Sequence, residues 1–408
     1  MHRYFDHNAT TPVAPEVVEA MVPYLGTEYG NASSIHRFGQ RAKAAVERGR
    51  AQLAALIHCE PAELVLTSGG TEADNMAVLG AVGAVGAARA SGRAGLHVIT
   101  TTIEHPAILR TCQAIEKEGV AVTYLPVDAA GFLDPGDVRR ALRPETVLIT
   151  VMHANNEIGT VQPIEEIAAI AHDAGVLFHT DAVQTTGKIP VDVKRMGVDL
   201  LSLSAHKFYG PKGVGALWIR KGVSLRPIMF GGHDDRDPRP GTTNVAGVVG
   251  IGAAAQLAAE GLESEAKRLE ALRDRLEREV LARIEDAGVN GTRVGMRVGM
   301  KDGKYMRVPN TTNLYFDYIE AESLVIALDL DGLACSTGAA CAAGAIEPSH
   351  VLTAIGAPAE RARASIRLSL GRANNDADID ALVAGLEKAV ERLRALSPRT
   401  PERKTVVS

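Results

Sequence analysis

Residues 176–219 read VLFHTDAVQTTGKIPVDVKRMGVDLLSLSAHKFYGPKGVGALWI and contain three apolar runs, VLFHT, DLLSLS and GVGALWI. Their hydrophobicity is continuous rather than alternating, the pattern of strands covered on both faces in a parallel α/β sheet. The same texture precedes them in ELVLT (63–67), LHVIT (96–100) and TVLITVM (146–152), and residues 164–174 carry apolar positions at helical spacing. These runs predict a large domain over residues 15–258, a mostly parallel sheet sandwiched by helices. Past residue 250 the texture changes. Residues 260–286 read as a long charged helix and 288–310, rich in Gly, Arg and Met, as a loop or hairpin. Residues 320–329 and 376–396 read as helices and ASIRLSL (364–370) as a strand. That predicts a smaller α+β domain from residues 1–14 and 259–396, with 397–408 a disordered tail.

Composition narrows the function classes. The chain has 408 residues, 46% hydrophobic and 23% charged, with a net charge of −5, which argues against electrostatic binding to nucleic acid. The longest Ala/Gly/Val stretch, 76–88, is too short to span a bilayer, and no signal-peptide core opens the chain. Four cysteines form no CxxC, and twelve histidines form neither HExxH nor HxxxH, so no metal is expected. A reducing cytoplasm is the expected setting.

In a doubly wound sheet, ligands collect at the carboxyl ends of the strands. The polar residues that follow the apolar runs are Ser68-Gly69-Gly70-Thr71, Glu104-His105, Asn155-Asn156-Glu157, Asp181 with Gln184, and Ser204 with His206-Lys207. TSGGTEADN (67–75) suits an anion at a helix N-terminus, or merely a capped helix in which Thr71 and Asp74 pair. Asp181 should be buried and needs a cation: another side chain, or the protonated ring nitrogen of a cofactor whose ring oxygen Gln184 would bond. Lys207 is either a solvated loop charge or, in a dry crevice, a free amine able to form a Schiff base. His105 is either a core residue or a ring stacked on a flat ligand. Together, a phosphate cup, a carboxylate, an amine and a stacking ring describe pyridoxal 5′-phosphate.

These residues lie in blocks that resemble the cysteine desulfurases, of the class V aminotransferase group of fold-type I pyridoxal-phosphate enzymes. The blocks run in the family's order from YFDHNATTP (4–12) through GNASSIHRFG, TSGGTEADN, EHPAIL, HANNEIGT, DAVQTTGK, SAHKFYGPKGVGAL and RPGTTNVAG to CSTGAACAAGAIEPSHVL (335–352) and SIRLSLGR (365–372). The resemblance implies that Lys207 is the Schiff-base lysine, Asp181 pairs with the ring nitrogen, Gln184 bonds the phenolic oxygen, and His105 stacks and helps move protons. It assigns the phosphate to Gly70, Thr71, Ser204 and His206, with Thr242 reaching in from a second subunit of a homodimer. Asn156 and Arg367 would hold the carboxylate of L-cysteine. Cys341 would take the sulfur as a persulfide, leaving alanine, and pass it to an acceptor such as an iron–sulfur scaffold protein. A selenocysteine lyase, another aminotransferase-type enzyme or a non-catalytic scaffold member are the alternatives. Cys335 is expected to end a packed element as a small hydrophobe. The chain departs from the family pattern at GGHDDRDPRPGT (231–242), and residues 80–95 and 291–307 look longer than usual.

Overall fold

The apolar runs become strands of one seven-stranded sheet in the computed structural model, which describes residues 2–88, 95–232, 239–292, 300–301, 304–337 and 348–397. After a short N-terminal strand β1 (Arg3–Tyr4) come β2 (Leu64–Thr67), β3 (His97–Thr101), β4 (Ala121–Leu125), β5 (Thr146–Thr150), β6 (Leu177–Asp181), β7 (Leu200–Ser204) and β8 (Gly215–Ile219). The sheet order is β2-β8-β7-β6-β5-β3-β4. Strands β7, β6, β5, β3 and β4 pair in parallel, whereas β8 is antiparallel to both β7 and β2. The reversal of β8 has a simple cause. Only residues 205–214 separate it from β7, fewer than the dozen or so that a parallel crossover needs. The predicted fold class, a mostly parallel α/β sheet covered by helices, is what forms.

Both faces are dry. Val98, Leu148 and Leu200 belong to one core and their chain neighbours Ile99, Ile149 and Leu201 to the core on the opposite face. Edge strand β4 escaped the sequence reading because its residues are exposed or half-buried until Leu125, so no continuous apolar run marks it.

The long charged helix expected over 260–286 begins fifteen residues earlier and runs as Val245–Arg283. Its first part is rich in Gly and Ala because it presses on helix Arg37–Leu56. A Cβ on Gly252 would fall 2.4 Å from the Gly49 Cα, and one on Gly49 2.4 Å from the Val248 carbonyl oxygen. Residues to Ala258 pack into the large sheet's core, while Leu269, Leu272, Leu276 and Val280 join a second core with Phe5, Leu314, Phe316 and Leu382. Among the described helices it alone is long and apolar enough to cross a membrane, and its apolar residues are spent on these two cores.

The second core is roofed by an antiparallel sheet ordered Ser365–Ser369, Thr311–Phe316, Ala287–Val289, with helices Ala321–Leu330 and Asp376–Leu396. Within 288–310, Met300–Lys301 pairs antiparallel with Lys304–Tyr305. The N-terminus is held in this second body, since β1 pairs in parallel with Leu333–Ala334. From there residues 6–11 cross to the carboxyl ends of the large sheet.

Candidate active site

Lys207 ends the single helical turn Ala205–Lys207 that follows β7. Its Nζ donates to the carbonyl oxygens of Asn8 (2.5 Å) and Ala9 (2.9 Å). Burial, and next the Arg367 guanidinium, lower its pKa to about 8, against the opposing pull of Asp181 and Asp6. A lysine in that state is a usable nucleophile near neutral pH.

Asp181 is the last residue of β6 and is 6% exposed. Its carboxylate accepts the Val183 N–H at 2.9 Å and is in no ion pair among the described residues. Burial lifts its pKa to about 6, partly offset by that hydrogen bond and by Lys207. Two further carboxyls lie buried behind it. Glu104 accepts from the Thr101 hydroxyl (2.7 Å) and the Met152 N–H (3.0 Å), and burial raises it to about 8. Asp74 is likewise raised by burial and by the charge of Asp181. At neutral pH Glu104 therefore holds a proton, Asp74 is pushed in the same direction, and Asp181 carries negative charge. The His179 ring, bonded to Thr150 (2.8 Å) and Ser202 (2.9 Å), is kept neutral by burial, its pKa near 3. The Thr71–Asp74 cap, the alternative reading of TSGGTEADN, does not form: Asp74 is buried, and Glu72 instead accepts the Ser68 N–H at 2.7 Å and pairs with Arg239 at 2.8 Å.

Gln184 donates its Nε2 to the Asn8 carbonyl oxygen (3.1 Å) and accepts at Oε1 from Lys188 Nζ (2.8 Å). The Lys188 amine also donates to Asn8 Oδ1 (3.1 Å). With Lys207 and His7 it lines a cavity of about 20 Å³, room for about one water.

His105 caps helix Pro106–Glu116, its Nδ1 accepting the Ala107 N–H at 3.1 Å. Burial, then Lys207, lower its pKa to about 4. The ring is therefore neutral, and with Nδ1 engaged its proton sits on Nε2.

Gly70 opens the 19-residue helix Gly70–Ala88, with Thr71 exposed beside it. A Cβ on Gly70 would lie 2.7 Å from the Val183 side chain and 3.7 Å from Ser204 Cβ, so only glycine fits where this helix start meets the end of β7. Ser204 is buried there, and His206 Nδ1 is 3.2 Å from the Thr10 hydroxyl. A helix N-terminus beside a buried serine and a histidine is a setting that suits an anion.

Arg367 comes from the strand Ser365–Ser369 of the second body. Its Nη2 donates to Asp6 (2.7 Å) and its Nη1 to the Asn156 carbonyl oxygen (3.1 Å), while Nε is buried without a partner among the described residues. Asn156 thus meets Arg367 through its backbone. Thr242 is exposed just before helix Val245–Arg283 and shares no hydrogen bond with these residues in this chain.

Cys341 and residues 233–238 of the departing GGHDD stretch lie outside the described residues. The described flanks of the cysteine segment both reach the site. Ser336 bridges to Arg367 on one side; on the other, Ser349 donates to Glu157 (2.6 Å) and the His350 ring meets the Glu104 carbonyl oxygen (3.0 Å).

The residues present fit pyridoxal 5′-phosphate. A buried carboxylate without a cation, an amine held near it and a glycine-built anion cup are the donor set that the cofactor needs. Sequence reasoning missed Asp6, Asn8, Asp74, His179 and Lys188. Only Lys188 left a local signal, four residues after Gln184 in DAVQTTGK.

Comparisons with known proteins agree with the fold and show the family. The family model "Aminotransferase class-V" matches residues 3–382. The cysteine desulfurase IscS of Dictyoglomus turgidum is 48% identical over 399 residues, 98% of this chain and 97% of that protein. Among solved structures, a NifS-like protein superposes with a TM-score of 0.86 at 35% identity, covering 96% of this chain and all of that one. SspA in complex with cysteine superposes at 0.77 with 36% identity, covering 90% and 98%. With matches of this length and identity, the chain belongs to the class-V aminotransferase family, in its cysteine desulfurase branch.

Proposed function

We propose that this chain removes sulfur from L-cysteine, releasing L-alanine and passing the sulfur on from an enzyme persulfide. The observation that carries the reading is the pairing of Lys207, its pKa lowered to about 8, with Asp181, a buried carboxylate in no ion pair among the described residues. Lys207, Asp181, Gln184, His105, Gly70, Thr71, Ser204 and His206 would hold pyridoxal 5′-phosphate. When bound, that group supplies an electron sink for bonds next to its imine nitrogen. Asp181 would keep the ring nitrogen protonated, its charge set beside the protonated Glu104. Arg367 would orient the substrate carboxylate by a two-pronged bond, exchanging its contact with Asp6. Cys341 would receive the sulfur. Incubation with L-cysteine and a reductant should give sulfide and alanine in equal amounts, and alanine without sulfide would defeat the reading.

The lowered pKa of Lys207 sets a pH dependence. Only the neutral amine attacks an aldehyde, and with a pKa of about 8 roughly a tenth of it is neutral at pH 7. The rate at which apoprotein captures pyridoxal 5′-phosphate should rise about tenfold per unit and level off near pH 8. A rate still climbing tenfold per unit above about pH 9 means an ordinary lysine.

Arg367→Ala should chiefly weaken substrate capture. A hydrogen bond to a charged group contributes about 1.5–3 kcal/mol, so half-saturation by L-cysteine should rise roughly tenfold or more. An unchanged half-saturation, read from the cofactor spectrum, removes Arg367 from the site.

A homodimer is part of the proposal. Helix Pro15–Leu25 exposes Val18, Val22 and Leu25, one stripe at i, i+4, i+7. Tyr29, Ile35, Phe38, Met229 and Phe230 are exposed as well, and the Tyr29 and Phe38 rings lie 5.4 Å apart. So much exposed apolar surface suits a second copy, whose Thr242 would then complete the phosphate cup. The free Cys59, Cys112 and Cys335 suit a reducing compartment such as the cytoplasm. A sulfur-acceptor protein is the expected outlet for the persulfide.

A further inference from the structure

The site contains a second lysine for which the proposed chemistry has no use. Among the described residues Lys188 Nζ makes two hydrogen bonds, both to side-chain carbonyl oxygens: Gln184 Oε1 at 2.8 Å and Asn8 Oδ1 at 3.1 Å. The backbone carbonyl oxygen of Asn8 can only accept, so the Gln184 atom that meets it is Nε2 and the one that meets Lys188 is Oε1. Asn8 is held in the same sense from its other side, its Nδ2 donating to the Thr311 hydroxyl (2.8 Å) and its Oδ1 accepting from Asn310 (3.2 Å). The Asn8 carbonyl oxygen accepts from both Gln184 Nε2 and Lys207 Nζ. Gln184 is thereby clamped at both ends of its amide. One N–H of Nε2 is used on Asn8, and the other remains to donate into the site.

We propose that Lys188 is a positioning residue that fixes the amide of Gln184 so that its NH₂, and never its carbonyl oxygen, faces the phenolic oxygen of the bound cofactor. This rests on the assignment of pyridoxal 5′-phosphate above. A free glutamine amide can turn over, and the flipped form would set a carbonyl oxygen against an oxygen anion. The Asn8 carbonyl oxygen, which only accepts, and Lys188 at the other end of the amide together disfavour that alternative. It also puts a cationic or strongly polar head close to Lys207 and Arg367, the charged groups that act on it, with Asp181 and Asp6 acting in turn on Lys207. Those four charged groups stay in place in every variant below, so their contributions cancel in a double-mutant comparison.

The test is the pH titration of the visible imine band of the holoenzyme, which needs no turnover. A donor to the phenolic oxygen favours its anion, so losing it should raise the imine pKa. Lys188→Met and Gln184→Ala should each raise it by about one unit, and the double variant should show no more than the larger single shift. Lys188→Gln, which restores an uncharged donor, should return the titration most of the way to wild type. It also serves if Lys188→Met does not fold. Shifts that add in the double variant would mean that Lys188 acts by charge alone and overturn the proposal. So would Lys188→Met titrating like wild type. Absence of a visible imine band from the wild-type protein would overturn the cofactor assignment together with the inference, an outcome distinct from either.

Discussion

Lys207→Ala is expected to lose the borohydride-reducible link to pyridoxal 5′-phosphate and at least about three orders of magnitude in sulfide release, equivalent to roughly 4 kcal/mol of barrier. The structure makes this a real choice, because two amines sit side by side. Lys188 is held by side-chain oxygens of Gln184 and Asn8 and has its part in positioning them. Among the described residues Lys207 hydrogen-bonds only to backbone carbonyl oxygens, at Asn8 and Ala9, and can leave them at the cost of two ordinary hydrogen bonds. Asp181, the carboxylate proposed to meet the ring nitrogen, also acts on Lys207, its charge opposing the fall in the lysine's pKa. Reduction of the holoprotein followed by peptide mass mapping should put the adduct on Lys207. A stable adduct on Lys188, in wild type or in Lys207→Ala, would reverse the assignment.

How much of this could be read from the chain alone depended on whether the cause was local. Strands buried on both faces announce themselves as continuous apolar runs, and residues at their carboxyl ends converge by topology, which is why Asp181, Gln184, Ser204, His206 and Lys207 could be gathered without coordinates. The reversal of β8 could have been found from the ten-residue spacing of residues 205–214, yet composition alone hides strand direction. The early start of helix Val245–Arg283 was hidden because its glycines, poor helix formers, are there for contact with Gly49. Asp6 and Asn8 reach the site only because β1 pairs with Leu333–Ala334, more than three hundred residues away in sequence. No local pattern encodes such a path. The carboxyl cluster of Asp74, Glu104 and Asp181 was equally out of reach, since Asp74 looked like a helix cap and its burial is decided by the sheet beneath it.

The largest expected effect besides that of Lys207 concerns which cysteine carries sulfur. The attacking species is a thiolate, so a thiol held protonated is a poor candidate. Three of the four cysteines are held so. Burial, helped by Glu63, pushes Cys59 up to about 12. Burial, helped by Glu104, does the same to Cys112. Cys335 packs against the second core, and burial with the nearby Asp6 and Asp329 pushes it to about 12. Its position is the most tempting, directly before Ser336, whose backbone bridges to Arg367, yet the same packing that brings it close keeps its proton on. Cys341 stands five residues beyond Ser336, a reach of at most about 18 Å of extended chain. That anchor lies on the strand whose Arg367 guanidinium would hold the substrate. Cys341→Ala should therefore abolish sulfide release, by about three orders of magnitude or more, while the spectrum of the bound cofactor still responds to L-cysteine. Cys335→Ala should keep most of the activity, losing at most some stability through the small cavity it leaves. Mass spectrometry after brief exposure to L-cysteine without reductant should find about 32 mass units, one sulfur atom, on the peptide bearing Cys341. The same increment on Cys335 and none on Cys341 would mean that a buried, protonated thiol is the acceptor, and the assignment would fall.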